Sequence, residues 1–191
     1  MSDFWFYVSL GFNHVLDWNG YDHMLFLAVL VVGYSFKNWR RVLSLVTLFT
    51  IGHMASLAYA SVNVLDYDRS LIEFLIPVTI LLTAIHKFIS TYKSLGLKQP
   101  WILYVGTVFF GLIHGLGFAS FFRTLDEDST WPLIEFALGI EGAQVVIVLA
   151  VLLLGAALIK YTKLTTALWT YIICAITTII LLPLLIGTWP F

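Results

Sequence analysis

Of the five histidines in this 191-residue chain, His14, His23, His53 and His114 fall in or beside otherwise apolar stretches: "HVLDWNGYDHML", "FTIGHMASL" and "FFGLIHGLGFA". Asp22 adjoins His23. Glu141 sits in "GIEGAQ" with Gln144 three residues on, a spacing that shares one helical face. Neutral imidazole joined by one or two carboxylates is a ligand set for zinc, nickel, cobalt or iron. No thiol or thioether set points to Cu(I), because Met54 projects about 100° away from His53 on a helix. Asp22 and His23 are adjacent and cannot face one point well. One is expected to ligate while the other orients a neighbour, and Gln144 is expected to hold Glu141 or a bound water. The competing reading for any single histidine is a buried ring bonded to a backbone carbonyl or a hydroxyl.

The elements that must carry these residues follow from composition. The chain is 60% hydrophobic and 11% charged, with a formal net charge of -1 and a mean hydropathy of +0.94. Soluble domains carry about 25% charged residues, so an integral membrane protein is expected, with the lipid bilayer as its main partner. Near-neutral charge without a basic cluster argues against nucleic acid. Cys174 is the single cysteine and cannot form a disulfide within the chain. The opening "MSDFWFYVSLGF" lacks a positive n-region and carries Asp3, so it is expected to remain in the mature protein rather than act as a signal peptide.

The expected fold class is all-α, a polytopic membrane helix bundle forming one integral membrane domain over 1–191. About six transmembrane helices are expected, near residues 20–36, 41–63, 70–91, 100–122, 131–159 and 164–188, with a short N-terminal interfacial helix over 1–16. Lys37, Arg40 and Arg41, then Lys93 and Lys98, then Lys160 and Lys163 mark alternate connections. Those connections are expected in the cytoplasm and both termini outside. Pro77 is expected to free the Glu73 carbonyl, and Pro183 to end or kink the last helix.

This topology gives the polar groups a common depth. At the helical rise, His53 lies about 14 Å and His114 about 12 Å below the outer end, and Glu141 about 15 Å. Asp22 and His23 stand at the outer end of the first span, with Asn19-Gly20 as the turn before it and His14 preceding both. Groups from several segments could therefore meet in one outward-opening pocket. Glu73 and Glu135 lie nearer the interface, where solvation or capping competes with a site role. His86, beside Lys87 near the cytoplasmic end, is read as a boundary residue, and membership of His14 is left open.

The blocks "GFNHVLDWNGYDHMLFL", "FTIGHMASL", "LIEFLIPVTILLTAIHKF", "FFGLIHGLGFA" and "GIEGAQ" resemble the HupE/UreJ family of bacterial membrane proteins, in order, from about Gly11 to Gln144. The resemblance implies a multi-pass protein of the bacterial cytoplasmic (inner) membrane, of a family associated with hydrogenase and urease operons and described as nickel or cobalt permeases. Carried over residue by residue, the family's polar positions fall on His14, Asp22, His23, His53, His114, Glu141 and Gln144. Met54 stands where the family usually has Ser, and Ala137 where Asn is common.

Three functions compete. In a divalent-metal permease, His14 and Asp22/His23 would capture the ion outside, and His53, His114 and Glu141 would hold it deeper. In a membrane-embedded metal-dependent hydrolase, three histidines would hold the metal, and Asp22 or Glu141 would be the general base. In a metal- or haem-binding accessory subunit of a membrane enzyme, His53 and His114 would be axial ligands. The metal's identity, enzymatic activity and a homo-oligomeric state are left open by the sequence.

Overall fold

The computed structural model describes residues 3–18, 20–62, 68–93, 100–123 and 131–190. Seven α-helices follow in order: α1 (Asp3–Leu16), α2 (Asp22–Val31), α3 (Trp39–Val62), α4 (Arg69–Tyr92), α5 (Pro100–Arg123), α6 (Trp131–Tyr161) and α7 (Thr166–Gly187). No strand occurs among the described residues. The all-α bundle is as expected, and α3 to α7 are each long and apolar enough to cross a membrane. Their bounds lie within about two residues of those expected from apolar length alone. Among the residues expected at connections, Asn19 and Lys98 lie outside the described residues.

Local signals explain the ends. Asp68 caps α4 by accepting from the Ser70 and Leu71 amides, and the Thr165 hydroxyl accepts from the Leu168 amide at the start of α7. Gly33, at φ +85°, turns the chain after α2, a conformation that a Cβ would oppose. Pro183 does not end α7, which runs on to Gly187.

The stretch expected as a first span over 20–36 is helical only over Asp22–Val31, ten residues. That is about 15 Å of helix, half the thickness of a bilayer core. The missing half is α1. Tyr7 packs on Phe122 and His14 on Phe118, then His23 on His114 and Phe26 on Phe110. The chain therefore descends α5 in reverse, first as α1, which ends at Leu16, and then as α2, which begins at Asp22. α1 runs along α6 rather than across the bundle, because Gly11 and Gly139 bring the two backbones together. A Cβ at Gly11 would strike the Phe136 carbonyl, and one at Gly139 the Val8 carbonyl.

α3 and α5 are parallel and equally close. Gly111 faces Phe49 to His53, and Gly115, one turn on, faces His53 and Ser56. α4 and α7 are antiparallel, with Phe74 on Trp189 and Phe88 on Tyr171. α2 and α4 run the same way: Gly20 to Asp22 lie beside Glu73 to Pro77, and Lys87 donates to the Val32 carbonyl at 3.2 Å. It follows that α1 begins and α7 ends at the same end of the bundle, here termed the upper end. The connections that carry Lys37, Arg40 and Arg41, and Lys160 and Lys163, lie at the lower end. The core is a packed layer of Phe26, Leu30, Leu45, Phe49, Phe136 and Ile140, all fully buried. Large apolar side chains such as Leu153, Ile179 and Ile186 cover the outside, as lipid contact requires.

Candidate metal centre

The break between α1 and α2 creates the site. His14 occupies the last turn of α1 and His23 the first turn of α2, so the interruption brings two rings of the same chain segment face to edge, centroids 4.8 Å apart. His53 comes from the middle of α3, with its ring 5.7 Å from His14 and 5.6 Å from His23. One nitrogen from each of His14, His23 and His53 lies within 4.8 Å of the others. His114 joins from α5, its ring 5.3 Å from that of His23. The glycine contact between α3 and α5 sets the separation of the two backbones that carry His53 and His114, since bulkier residues would push them apart.

The hydrogen bonds are asymmetric. His114 Nδ1 donates to the Phe110 carbonyl at 2.8 Å, and His23 Nδ1 lies 3.1 Å from Asp22 Oδ1. The same carboxylate oxygen accepts the His23 backbone N–H at 2.8 Å. Both bonds orient a ring and leave its Nε2 free. The Nε2 atoms of His14, His23, His53 and His114 are all buried without a protein partner, as is His53 Nδ1. A buried polar atom left unpaired costs about 1–3 kcal/mol, so four together call for a ligand. Donor chemistry and spacing suit a transition metal. Tetrahedral nitrogen ligands stand about 3.3 Å apart, within side-chain adjustment of the present spacing, and Asp22 supplies the outer carboxylate common behind a ligating histidine. Phe26, Phe49, Phe118 and Phe136 wall the cluster, so its surroundings are apolar.

Glu141 and Gln144 lie elsewhere. Thr47 and Thr50 of α3 donate to the two Glu141 carboxylate oxygens at 2.6 and 2.7 Å, and Thr50 Oγ1 is 3.0 Å from Gln144 Oε1. This second polar centre is about one helical turn below His53. Thr47 and Thr50 were not singled out from the sequence, although their spacing of three, one turn before His53, was visible there. Glu73 pairs with Arg69 at 2.9 Å on the upper rim, and Glu135 is partly exposed in the first turns of α6. His86 sits low on α4 beside Lys87, away from the other histidines. α2 has Tyr21 at its cap position, without a side-chain cap bond.

A cavity of about 230 Å³ opens between the start of α2, α4 and the end of α7. Asp22 and Glu73 stand on its wall among the apolar Ile76, Pro77 and Leu184. The oriented face of the site, Asp22 and through it His23, is therefore reached from the upper half of the bundle.

No curated protein and no solved structure matches the chain. The family model described as HupE / UreJ protein matches residues 1–189, essentially the whole bundle that builds this cluster. By that match, the chain is a membrane protein belonging to the HupE/UreJ family.

Proposed function

We propose that the protein binds a divalent transition-metal ion with His14, His23, His53 and His114 and carries it across the bacterial inner membrane, nickel or cobalt being the cargo that the family suggests. The observation that carries this reading is a set of four buried, unpartnered Nε2 atoms: those of His14, His23 and His53, whose ligand nitrogens lie within 4.8 Å of one another, and that of His114, whose ring is 5.3 Å from that of His23. In such a permease, Asp22 fixes the His23 ring and adds negative charge on the cavity side, favouring cation arrival. The basic connections favour a cytoplasmic lower end by the positive-inside rule, an orientation in which the cavity and both termini would face outside. An interrupted helix with its binding residues at the break is a known arrangement for midplane ion sites. The test pairs elemental analysis of purified protein with cellular uptake of labelled nickel, cobalt and zinc. Wild type should bind metal and accumulate one of these ions, and His114→Ala should do neither. Metal binding with unchanged cellular uptake in His114→Ala would remove the transport role.

The cavity favours one second reading, a membrane-embedded metal-dependent hydrolase. Its apolar wall of Ile76, Pro77 and Leu184 suits an amphiphilic substrate, and of its two carboxylates Asp22 is the one beside a cluster histidine. In that case three histidines would hold a metal supplying Lewis acidity, and Asp22 would accept a proton from water. Hydrolysis of an acyl-chain ester or amide by the metal-loaded protein, lost in Asp22→Asn without loss of bound metal, would select this reading over transport.

A further inference from the structure

α2 is a half-span with a charge at each end. At its start the Asp22 carboxylate accepts the His23 N–H at 2.8 Å. At its end the chain turns away at Gly33, φ +85°, and the last carbonyls need partners. The Val32 N–H returns to the Ala28 carbonyl, and the Tyr34 N–H to that of Val31. The Val32 carbonyl is taken by Lys87 of α4, whose Nζ donates to it at 3.2 Å. The same ammonium stands 4.2 Å from the centre of the Tyr34 ring. Lys87 is 8% exposed and has no carboxylate partner among the described residues. α4 ends at Tyr92, so a lysine stem at this height could carry its head down to water. It turns inward instead. A charge withdrawn into a bilayer is costly, and the negative end of the α2 dipole is what offsets it here.

We propose that Lys87 is a positioning residue for the metal centre: it clamps the lower end of α2 and so sets where the upper end presents His23. The inference rests on the metal reading of the histidine cluster. The apolar flank of α2 does not fix that position by itself. Val29 packs with Ala84 of α4 and Cys174 of α7, small contacts that permit close approach but carry no direction. Thr79 and Thr83 share the Lys87 face of α4, yet their hydroxyls bond to their own helix, at the Ile76 and Thr79 carbonyls. Of that face, Lys87 reaches across to α2 with a directional bond. About 14 Å of helix separates Val32 from His23, so a shift at the clamp is carried up to the ring. His114 has no such dependence, because α5 carries it and the Phe110 carbonyl fixes its Nδ1.

The experiment records ¹⁵N-histidine NMR spectra of full-length, metal-free protein in micelles, with each ring assigned by replacing its histidine with glutamine. Co(II) affinity is measured alongside by competition titration. Lys87→Met keeps the stem but removes the charge and the donor. It should shift the His23 ring signals, leave the His114 Nδ1 signal in place, and weaken Co(II) binding by about tenfold. Lys87→Arg, which restores both charge and donor, should return the His23 signals and the affinity to near wild type. Lys87→Gln, neutral on a shorter stem, replaces Lys87→Met should that variant fail to fold. His23 signals unmoved in a folded neutral variant would overturn the proposal. So would an equal shift in Lys87→Arg and Lys87→Met, since packing alone would then account for both. The spectra need no metal, which keeps the two readings apart. Wild type that binds no Co(II), with His23 still displaced by Lys87→Met, would remove the metal reading and leave the clamp on α2 standing.

Discussion

Asp22 Oδ1 lies 3.1 Å from His23 Nδ1 and 2.8 Å from the backbone nitrogen of the same residue. One carboxylate oxygen thus fixes both the start of α2 and the ring that α2 delivers to the cluster. The adjacency that kept Asp22 and His23 from sharing one target in the sequence divides their labour in the fold: His23 turns its Nε2 to the site and Asp22 holds it there.

Asp22→Asn therefore tests orientation with little change of shape. The amide can still accept from the backbone N–H, but it removes the charge behind the imidazole. Metal affinity should fall by about 10–100-fold, the usual cost of losing such an outer carboxylate, with bound stoichiometry recovered at higher metal concentration. Competition titration against a metal indicator measures it. An unchanged affinity would mean that Asp22 acts on the backbone alone.

His53 is fully buried, with both ring nitrogens unpartnered, so the metal-free protein bears a cost there. His53→Leu removes two orphaned polar atoms at similar volume. Purified without metal, this variant should unfold at a temperature equal to or above that of metal-free wild type. Adding metal should then reverse the order. Wild type gains about 2.7 kcal/mol at a hundredfold excess over its dissociation constant, and His53→Leu gains far less. Thermal unfolding with and without metal gives both comparisons. A metal-free His53→Leu clearly less stable than wild type would show that the ring has a structural role.

The basic lower end makes a topological expectation that labelling can test. Cys174 is the only cysteine and is buried, so Cys174→Ser provides a silent background. Lys163→Cys, exposed in the connection from α6 to α7, should resist a membrane-impermeant maleimide in intact spheroplasts and react after lysis. Ser70→Cys, exposed at the upper start of α4, should react in both. The reverse pattern would place the cavity on the cytoplasmic side and turn an importer into an exporter.

The long helices were legible because apolar length is a property of the chain alone. The pairing of α1 with α2 was not. Residues 3–16 are too short to cross, and nothing local says that Gly11 will meet Gly139, more than a hundred residues away. Depth was legible too, since rise per residue converts position into height. It put His53, His114 and Glu141 near one level, although Glu141, bonded to Thr47 and Thr50, stands about a turn below His53. Height is a single coordinate, however, and the rotation of each helix is set by packing. The contact of Gly111 and Gly115 with α3 brings His114 to the cluster. The rotation of α6, fixed on its other side by Gly139 against α1, carries Glu141 to Thr47 and Thr50. Lys87 shows the same limit. It reads as a cation at the end of a span, yet it is buried beneath α2, donating to Val32 with its ammonium 4.2 Å from the Tyr34 ring.

Gly111→Ala tests whether the distance between α3 and α5 sets the site. A Cβ at this position would run into the Phe49 carbonyl and the backbone of Gly52 and His53. Backbone cannot yield as a side-chain tip does, so α3 and α5 must separate or slide. Overpacking of this kind costs about 1–3 kcal/mol, and it displaces His53 from the rings of His14 and His23. Gly106→Ala, on the same helix but with only the tip of Phe110 near the added carbon, is the matched control. Gly111→Ala should lower the unfolding temperature and weaken metal binding by more than its loss of stability explains when both are measured well below that temperature. Gly106→Ala should leave both near wild type. Equal metal affinity in the two variants would show that the cluster tolerates movement of α3 against α5, and that the break between α1 and α2 alone positions its histidines.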